Sequence, residues 1–433
     1  MEHDPPPASG LTPDELGRLG LLVQQSLPAY LEDLATLVNI DCGSYTKAGV
    51  DRVGRWTALF LERLGARVTV HPNATLGDTV VGTILGHGED QGPRRGRGSA
   101  SHDQGARVLL IGHLDTVFPE GTAAARPYRT EGGRAYGPGV TDMKSGLLAG
   151  LYGILALRGL LEADRSPNAW PPFASLTFVA NPDEEIGSPA STPIIRGLAR
   201  DTDLCFVLEC ARANGDIVSA RKGTLDLRIT VTGRAAHAGV EPEKGRSAIL
   251  EAAHQIQELH ALNGRWPGVT CNVGVVHGGT RPNVVAESAA LEVDLRAVMR
   301  ADLEAAAAAV ADLAAHPAVP DTSVRVEELH RHWPMEQLER SGRLVDQARA
   351  IGERLGFEVR DAATGGASDA NTTAGMGVPT LDGLGPIGGS DHAPTEYLEL
   401  DSIVPRTTLL AGLLLAVARD PVVAGWRDES TAR

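Results

Sequence analysis

The sequence predicts an α/β protein interrupted by a second, smaller α+β domain. Three observations predict this. Apolar runs of four to six residues stop abruptly at acidic residues or histidine, as strands buried on both faces of a sheet do. After Glu209 the texture changes to half-exposed alternation and amphipathic helix. At 433 residues the chain also exceeds what one hydrophobic core ordinarily supports.

Composition narrows the function classes. Hydrophobic residues make up 42% and charged residues 22%, too apolar a balance for a disordered chain. Lys plus Arg number 40 against 55 Asp plus Glu, a net charge of −15, which argues against nucleic acid or an anionic membrane as the main partner. Cys42, Cys205, Cys210 and Cys271 form no Cys-x-x-Cys pair, so reduced thiols are expected. The opening MEHDPPPASG is unlike a signal peptide. Leu147–Leu161, interrupted by Arg158, and Leu409–Ala418 are shorter than a membrane span of about 18–20 residues and read as buried helices. A soluble cytoplasmic protein is expected.

In chain order, Pro13 to about Leu64 is helical, with apolar residues spaced by three and four in LPAYLEDLATLVNI. Arg67–Val70 and Thr79–Leu85 read as short strands. Gly86–Arg107 lacks periodicity and reads as a mobile surface insertion, its RRGR a solvated loop. Then come three runs with one grammar: Val108–Ile111 stopping at His113 and Asp115, Leu176–Ala180 at Glu184 and Glu185, and Leu204–Leu208 at Glu209. With a helix at Gly146–Leu161 between two of them, they predict an α/β sheet whose site lies beyond the carboxyl ends of its strands. From about Ala220 to about His332, strand–helix–strand–strand–helix–strand predicts the second domain. From Pro334 helix and strand alternate again, ending in the buried helix TTLLAGLLLAVARD; there is no internal repeat.

The residues that carry chemistry are His113, Asp115, Asp142, Glu184, Glu185, Glu209 and His392. Each has a bland reading: Asp142 as a helix cap, PDEE as a solvated turn, His392 as an ordinary loop residue. Together, two histidines and several carboxylates, most at strand ends, are the ligand set of Zn²⁺ or a similar ion. Asp115, two residues beyond His113 on an extended chain, is placed to hold the imidazole's other nitrogen. With one carboxylate bridging, two ions at a separation of about 3.5–4 Å are accommodated. Of Glu184 and Glu185, one ligates and the other stays free to take a proton from the activated water.

The motifs GHLDTVFPEGT, YGPGVTDMKSG, NPDEEIGS, GRAAHAG, GGTRPNVV, TGGASDANTT and GGSDHAPTEY occur in this order over most of the chain. Together they resemble the M20 family of dinuclear zinc metallopeptidases, in its glutamate carboxypeptidase G2-like branch. The resemblance implies a catalytic domain with a mixed, largely parallel sheet, formed by residues 1–219 and 333–433, around a lid and dimerisation domain at 220–332. It implies two Zn²⁺ per subunit, with Co²⁺ or Mn²⁺ as substitutes: His113, Asp142 and Glu209 on one ion, Asp142, Glu185 and His392 on the other. Glu184 is then the general base and later acid, Asp115 the partner of His113, and His237 the lid histidine that steadies the oxyanion in the partner subunit. Asn283 matches a lid residue near substrate. For a substrate carboxylate the candidates are Arg296, Arg331 and the Gly365–Asn371 segment, including Gly366 and Ser368, since Arg and close backbone N–H groups suit carboxylates.

The implied activity is hydrolysis, by a dizinc-activated water, of the amide bond in N-acyl amino acids or small peptides with a free carboxylate. A biosynthetic deacylase of the acetylornithine or succinyl-diaminopimelate type is the alternative within the fold. An inactive metal- or peptide-binding module is the alternative outside it, and the intact Glu184 argues against that. Two departures stand out: Ser145 where relatives often carry Gly, and Cys210 and Arg212 where many carry Pro and small residues. A cysteine-nucleophile amidase using Cys210 is a distant third reading.

Overall fold

The computed structural model describes residues 10–86, 105–163 and 170–427, so most of the Gly86–Arg107 insertion, with its RRGR, lies outside the described residues. These residues divide into two compact units, the second formed by 220–336 and 363–367 and the first by the other described residues.

The first unit is organised by a six-stranded mixed sheet, in the order Arg67–His71, Thr79–Leu85, Ser175–Asn181, Arg107–His113, Leu204–Val207, Thr380–Leu381. The two leading strands run antiparallel, and the remaining neighbours from Ser175–Asn181 onward are parallel. Arg107–His113 is buried from Val108 onward and Leu204–Val207 throughout, which is why their sequences are continuous apolar runs. The predicted helical stretch to Leu64 is two helices, Pro13–Val38 and Lys47–Arg63. Thr12 and Glu15 cap the first of them reciprocally.

Helix Ser145–Ala163 is apolar over most of its circumference because it packs against both Pro13–Val38 and Ile403–Arg419, with only a narrow stripe at Arg158 and Glu162 turned to solvent. The two stretches apolar and long enough to cross a membrane, Val140–Ala163 and Leu400–Arg419, are largely buried in this core. Tyr30 donates its hydroxyl to the Ser145 carbonyl at 2.6 Å, which fixes the start of the helix. The next residue, Gly146, lies so close to the strand end that a Cβ there would stand 1.8 Å from the Leu208 carbonyl oxygen. Ala would favour the helix by about 1 kcal/mol, but a backbone clash of this depth outweighs it. Gly146→Ala is therefore expected to destabilise the protein by about 1–3 kcal/mol, read as a lower urea midpoint at constant m. An unchanged midpoint would show that strand and helix tolerate separation.

The second unit is a four-stranded antiparallel sheet, ordered Thr270–Gly278, Ser288–Ala297, Gly223–Thr232, Ser323–His332, with helices Ala248–His260 and Arg300–Ala315 packed against it. Leu225, Leu227, Ile229 and Val231 alternate into its core with Leu291, Val293 and Leu295. This unit also takes in Ala363–Ala367, which nothing local in the sequence announces. Lys222 N–H bonds to the Thr364 carbonyl, while Arg296 and Arg221 reach the Gly365 and Gly366 carbonyls.

Candidate metal centre

Strand ends and the loops after them assemble the centre in the first unit. His113 closes its strand opposite Asn181 and is 1% exposed. Its Nδ1 is 3.0 Å from the Asp115 main-chain oxygen and 3.3 Å from Oδ1 of the Asp115 carboxylate, so the expected orienting partner is present, with the carbonyl the nearer atom. Its Nε2 meets Asp142 Oδ1 at 3.0 Å and Glu209 at 3.7 Å. His392, in the left-handed region at φ 63°, places Nε2 at 3.1 Å from both Asp142 Oδ2 and Glu185. The Asp142 carboxylate is thus shared, one oxygen to each histidine, and is not spent on capping the helix that follows.

Glu184 and Glu185 sit on one short 3₁₀ turn, Glu184–Ile186. Ligand atoms of His113, Glu184 and Glu209 lie within 4.8 Å of one another, as do those of His113, Asp142 and Glu185. The two adjacent glutamates therefore serve two different atom clusters. Asp115 holds the turn: its carboxylate accepts the amides of Glu184 and Glu185 at 3.2 Å each and the Ser44 hydroxyl at 2.6 Å.

Crowded acids set the proton affinities. Burial raises Glu184 well above the usual carboxylate range, and the charge of Glu209 adds to it. Burial likewise raises Glu185 against its bond to His392. Hydrogen bonds to Asp142 and Glu185 lift His392 to about 11. Burial alone would lower His113, but its bonds to Asp115 and Asp142 outweigh that and hold it well above the ordinary imidazole value.

The donor set fits divalent cations. Glu185 Oε1 is buried without a hydrogen-bond partner, and two imidazoles with a shared carboxylate are zinc-type ligands. Ligation needs imidazoles that have given up their protons. Lowering the pH favours the protonated imidazoles, so cation affinity is expected to rise with pH and uptake to release protons. Titration calorimetry in two buffers of unlike ionisation enthalpy checks this; a buffer-independent heat would contradict it.

The remaining predicted site residues are distributed differently. His237 and Asn283 are both exposed and adjacent in the second unit, where Ala238 N–H bonds to the Asn283 carbonyl at 3.0 Å. Arg296 is paired with Asp294 at 2.7 Å and donates to the Gly365 carbonyl at 2.8 Å. Arg331 pairs with Glu328 at 2.6 Å and lies over the Trp333 ring. Ser368, in the first unit, caps helix Asp369–Ala374 and donates to Asp382 at 2.7 Å. Cys210 is buried, and burial pushes its thiol well up, away from a reactive thiolate. All four cysteines are buried and free.

Sequence reasoning missed Glu396. Its carboxylate accepts the amides of Gly139, Thr141 and Asp142 at 2.9, 2.9 and 3.1 Å, and so cradles the backbone that presents Asp142. The only local signal was its place four residues after His392.

The model of peptidase family M20/M25/M40 matches residues 109–416. Carboxypeptidase G2 of Pseudomonas sp. (strain RS-16) is 30% identical over 396 residues, 90% of this chain and 89% of the relative. Acetylornithine deacetylase of Edwardsiella ictaluri is 30% identical over 73% of this chain and 82% of its own. Among solved structures, aminopeptidase PepT of Bacillus cereus superposes with a TM-score of 0.71 at 21% identity, over 90% of this chain and 99% of that one. The M20 family metallo-carboxypeptidase Sso-CP2 of Sulfolobus solfataricus reaches 0.63 at 15% identity, over 90% and 99%. These two share the α/β fold. A match spanning the strand of His113 through the last long helix, with a relative aligned nearly end to end, places this chain in peptidase family M20/M25/M40, as a metal-dependent hydrolase of amide bonds.

Proposed function

We propose that this enzyme is a carboxypeptidase-type hydrolase of N-acyl amino acids or small peptides with a free carboxylate. The observation that carries the reading is the Asp142 carboxylate shared between His113 and His392, with Glu184 beside the His113–Glu209 cluster. Carboxypeptidase G2, as the relative aligned over most of the chain, supports the substrate class.

In this reading His113, Asp142 and Glu209 would hold one zinc ion and Asp142, Glu185 and His392 the other, with Co²⁺ or Mn²⁺ able to substitute. When bound, such ions would supply Lewis acidity to the amide carbonyl and to the attacking water. Glu184 accepts the proton of that water as its oxygen adds to the carbonyl carbon. It then delivers the proton to the amine nitrogen as the C–N bond breaks. Asp115 fixes the imidazole of His113 and the backbone of Glu184. The Ala220–Glu336 segment acts as lid and homodimer surface, from which His237 steadies the oxyanion of the partner subunit's reaction and Asn283 contacts substrate. Arg296, Arg331, Gly365, Gly366 and Ser368 form the candidate carboxylate-binding set. The four free thiols suit a reducing, cytoplasmic setting.

A panel of N-acyl and aminobenzoyl glutamates, dipeptides, N-acetylornithine and N-succinyl-diaminopimelate tests the assignment, using enzyme reloaded with Zn²⁺ or Co²⁺ and enzyme stripped by chelator. Ion-dependent turnover highest on the acylated glutamates is expected. Highest turnover on N-acetylornithine would instead favour the deacylase reading, which the 30% identity to acetylornithine deacetylase keeps in play. Sedimentation at assay concentration checks the dimer, since a fully active monomer excludes action of His237 across subunits.

A further inference from the structure

We propose that Asp369 is a positioning residue for Glu184, acting through Ser188 and Asn181. This rests on the reading of Glu184 as the general base.

Asp369 lies at the first position of helix Asp369–Ala374, 2% exposed, and touches none of the candidate ligands through its hydrogen bonds. One of its oxygens accepts the Ser188 hydroxyl at 2.6 Å; the other accepts the Asn181 side-chain amide at 2.8 Å. These two partners are the two ends of the segment that bears Glu184. Asn181 ends the strand Ser175–Asn181, and its carbonyl accepts Leu114 N–H at 2.8 Å, immediately after His113. Ser188 ends the turn: its N–H closes onto the Asp183 carbonyl at 2.8 Å. A single carboxylate therefore spans the root and the return of the loop.

The return is a point where the backbone needs such a hold. Gly187 and Ser188 both adopt positive φ, 84° and 56°. For a serine the left-handed region is unfavourable, and a short hydrogen bond to a carboxylate helps to offset that cost. Asp183 accepts Ala190 N–H and the Ser191 hydroxyl, each at 2.6 Å, so Ser188 depends on Asp369 alone for its hydroxyl's acceptor among the described residues. Asp115 grips the near side of the turn through the Glu184 and Glu185 amides. Asp369 grips the far side. The two carboxylates together leave the turn little freedom to rotate the Glu184 side chain away from the His113–Glu209 cluster.

A buried carboxylate is a costly way to hold a loop if neutral acceptors suffice. Among the described residues its side-chain hydrogen bonds come from the neutral donors Ser188 and Asn181.

The test uses the full-length enzyme reloaded with Zn²⁺ and its best substrate from the panel. Asp369→Ala and Ser188→Ala are expected to lower kcat by about 10- to 100-fold, the scale of a small misplacement of a catalytic group, with KM and bound metal unchanged. Asp369→Asn keeps an acceptor for Ser188 and is expected to recover part of the loss. In the Glu184→Gln background the same substitutions are expected to have no further effect, because they act through Glu184. Wild-type kcat in a folded Ser188→Ala variant would overturn the inference even if Asp369→Ala failed to fold. So would an equal loss in both backgrounds, or a kcat loss that tracks lost metal. Should Glu184→Gln itself keep wild-type activity, the base assignment fails, an outcome visible from that single variant alone.

Discussion

Glu184→Gln is expected to lower kcat by about 10²–10⁴-fold, the range for losing a general base, while leaving metal content, KM and thermal midpoint near those of the wild type. Gln keeps the size of the side chain and its polar contacts but takes up no proton at neutral pH. The structure separates the consequences for the two neighbours on the turn. Glu185 bonds to His392 at 3.1 Å and carries the buried, unpartnered Oε1, so its removal is expected to reduce ion binding. Glu184 makes no such bond to a histidine among the described residues and sits with His113 and Glu209. Its raised proton affinity, from burial and the charge of Glu209, is what a group needs to accept a proton from water and later give it up. Loss of kcat with full metal occupancy in Glu184→Gln, against loss of metal in Glu185→Gln, would divide the roles as assigned. Equal metal loss in both would make Glu184 a ligand.

Most of this centre was legible because each candidate follows an apolar run or a short motif that is unusual by itself. His113, Glu184 and Glu209 stand where strands Arg107–His113, Ser175–Asn181 and Leu204–Val207 reach the sheet edge, and burial on both faces wrote the first and third of them as continuous apolar runs. Strand Thr270–Gly278 was harder to see: Gly274 interrupts it, the register shifts between Val273 and Val275, and most of its residues are exposed. The break between the first two helices was also hidden, since Asn39–Thr46 is a short interval between two amphipathic stretches. Supporting residues left still less trace. Glu396 acts on backbone amides 254 to 257 positions away, and Asp369 on Ser188 across 181 positions. Such bonds depend on the assembled fold and have no local periodicity to betray them.

Asp142→Ala is expected to abolish tight binding of both ions, whereas Glu209→Ala or Glu185→Ala is expected to weaken one. The asymmetry comes from the shared carboxylate: Oδ1 faces His113 at 3.0 Å and Oδ2 faces His392 at 3.1 Å, so a single truncation removes a donor from each of the two proposed ion sites. Residues that merely orient a ligand change metal affinity by about 10–100-fold, so deleting a ligand common to two ions should exceed that at each. Stability reports the same difference. A ligand at 100 times its Kd stabilises the folded state by about 2.7 kcal/mol, so wild-type protein should show a clear rise in thermal midpoint on adding Zn²⁺. Asp142→Ala should show almost none, and the single-cluster variants a smaller rise than the wild type. Equilibrium dialysis with elemental analysis gives the count directly. Two tightly held equivalents in the wild type, one in Glu209→Ala and none in Asp142→Ala would match a bridging carboxylate. One tightly held ion surviving in Asp142→Ala would mean that His113 and His392 serve sites that do not share it, and the pairing of both histidines with Asp142 would then be an ion-pair network in its own right.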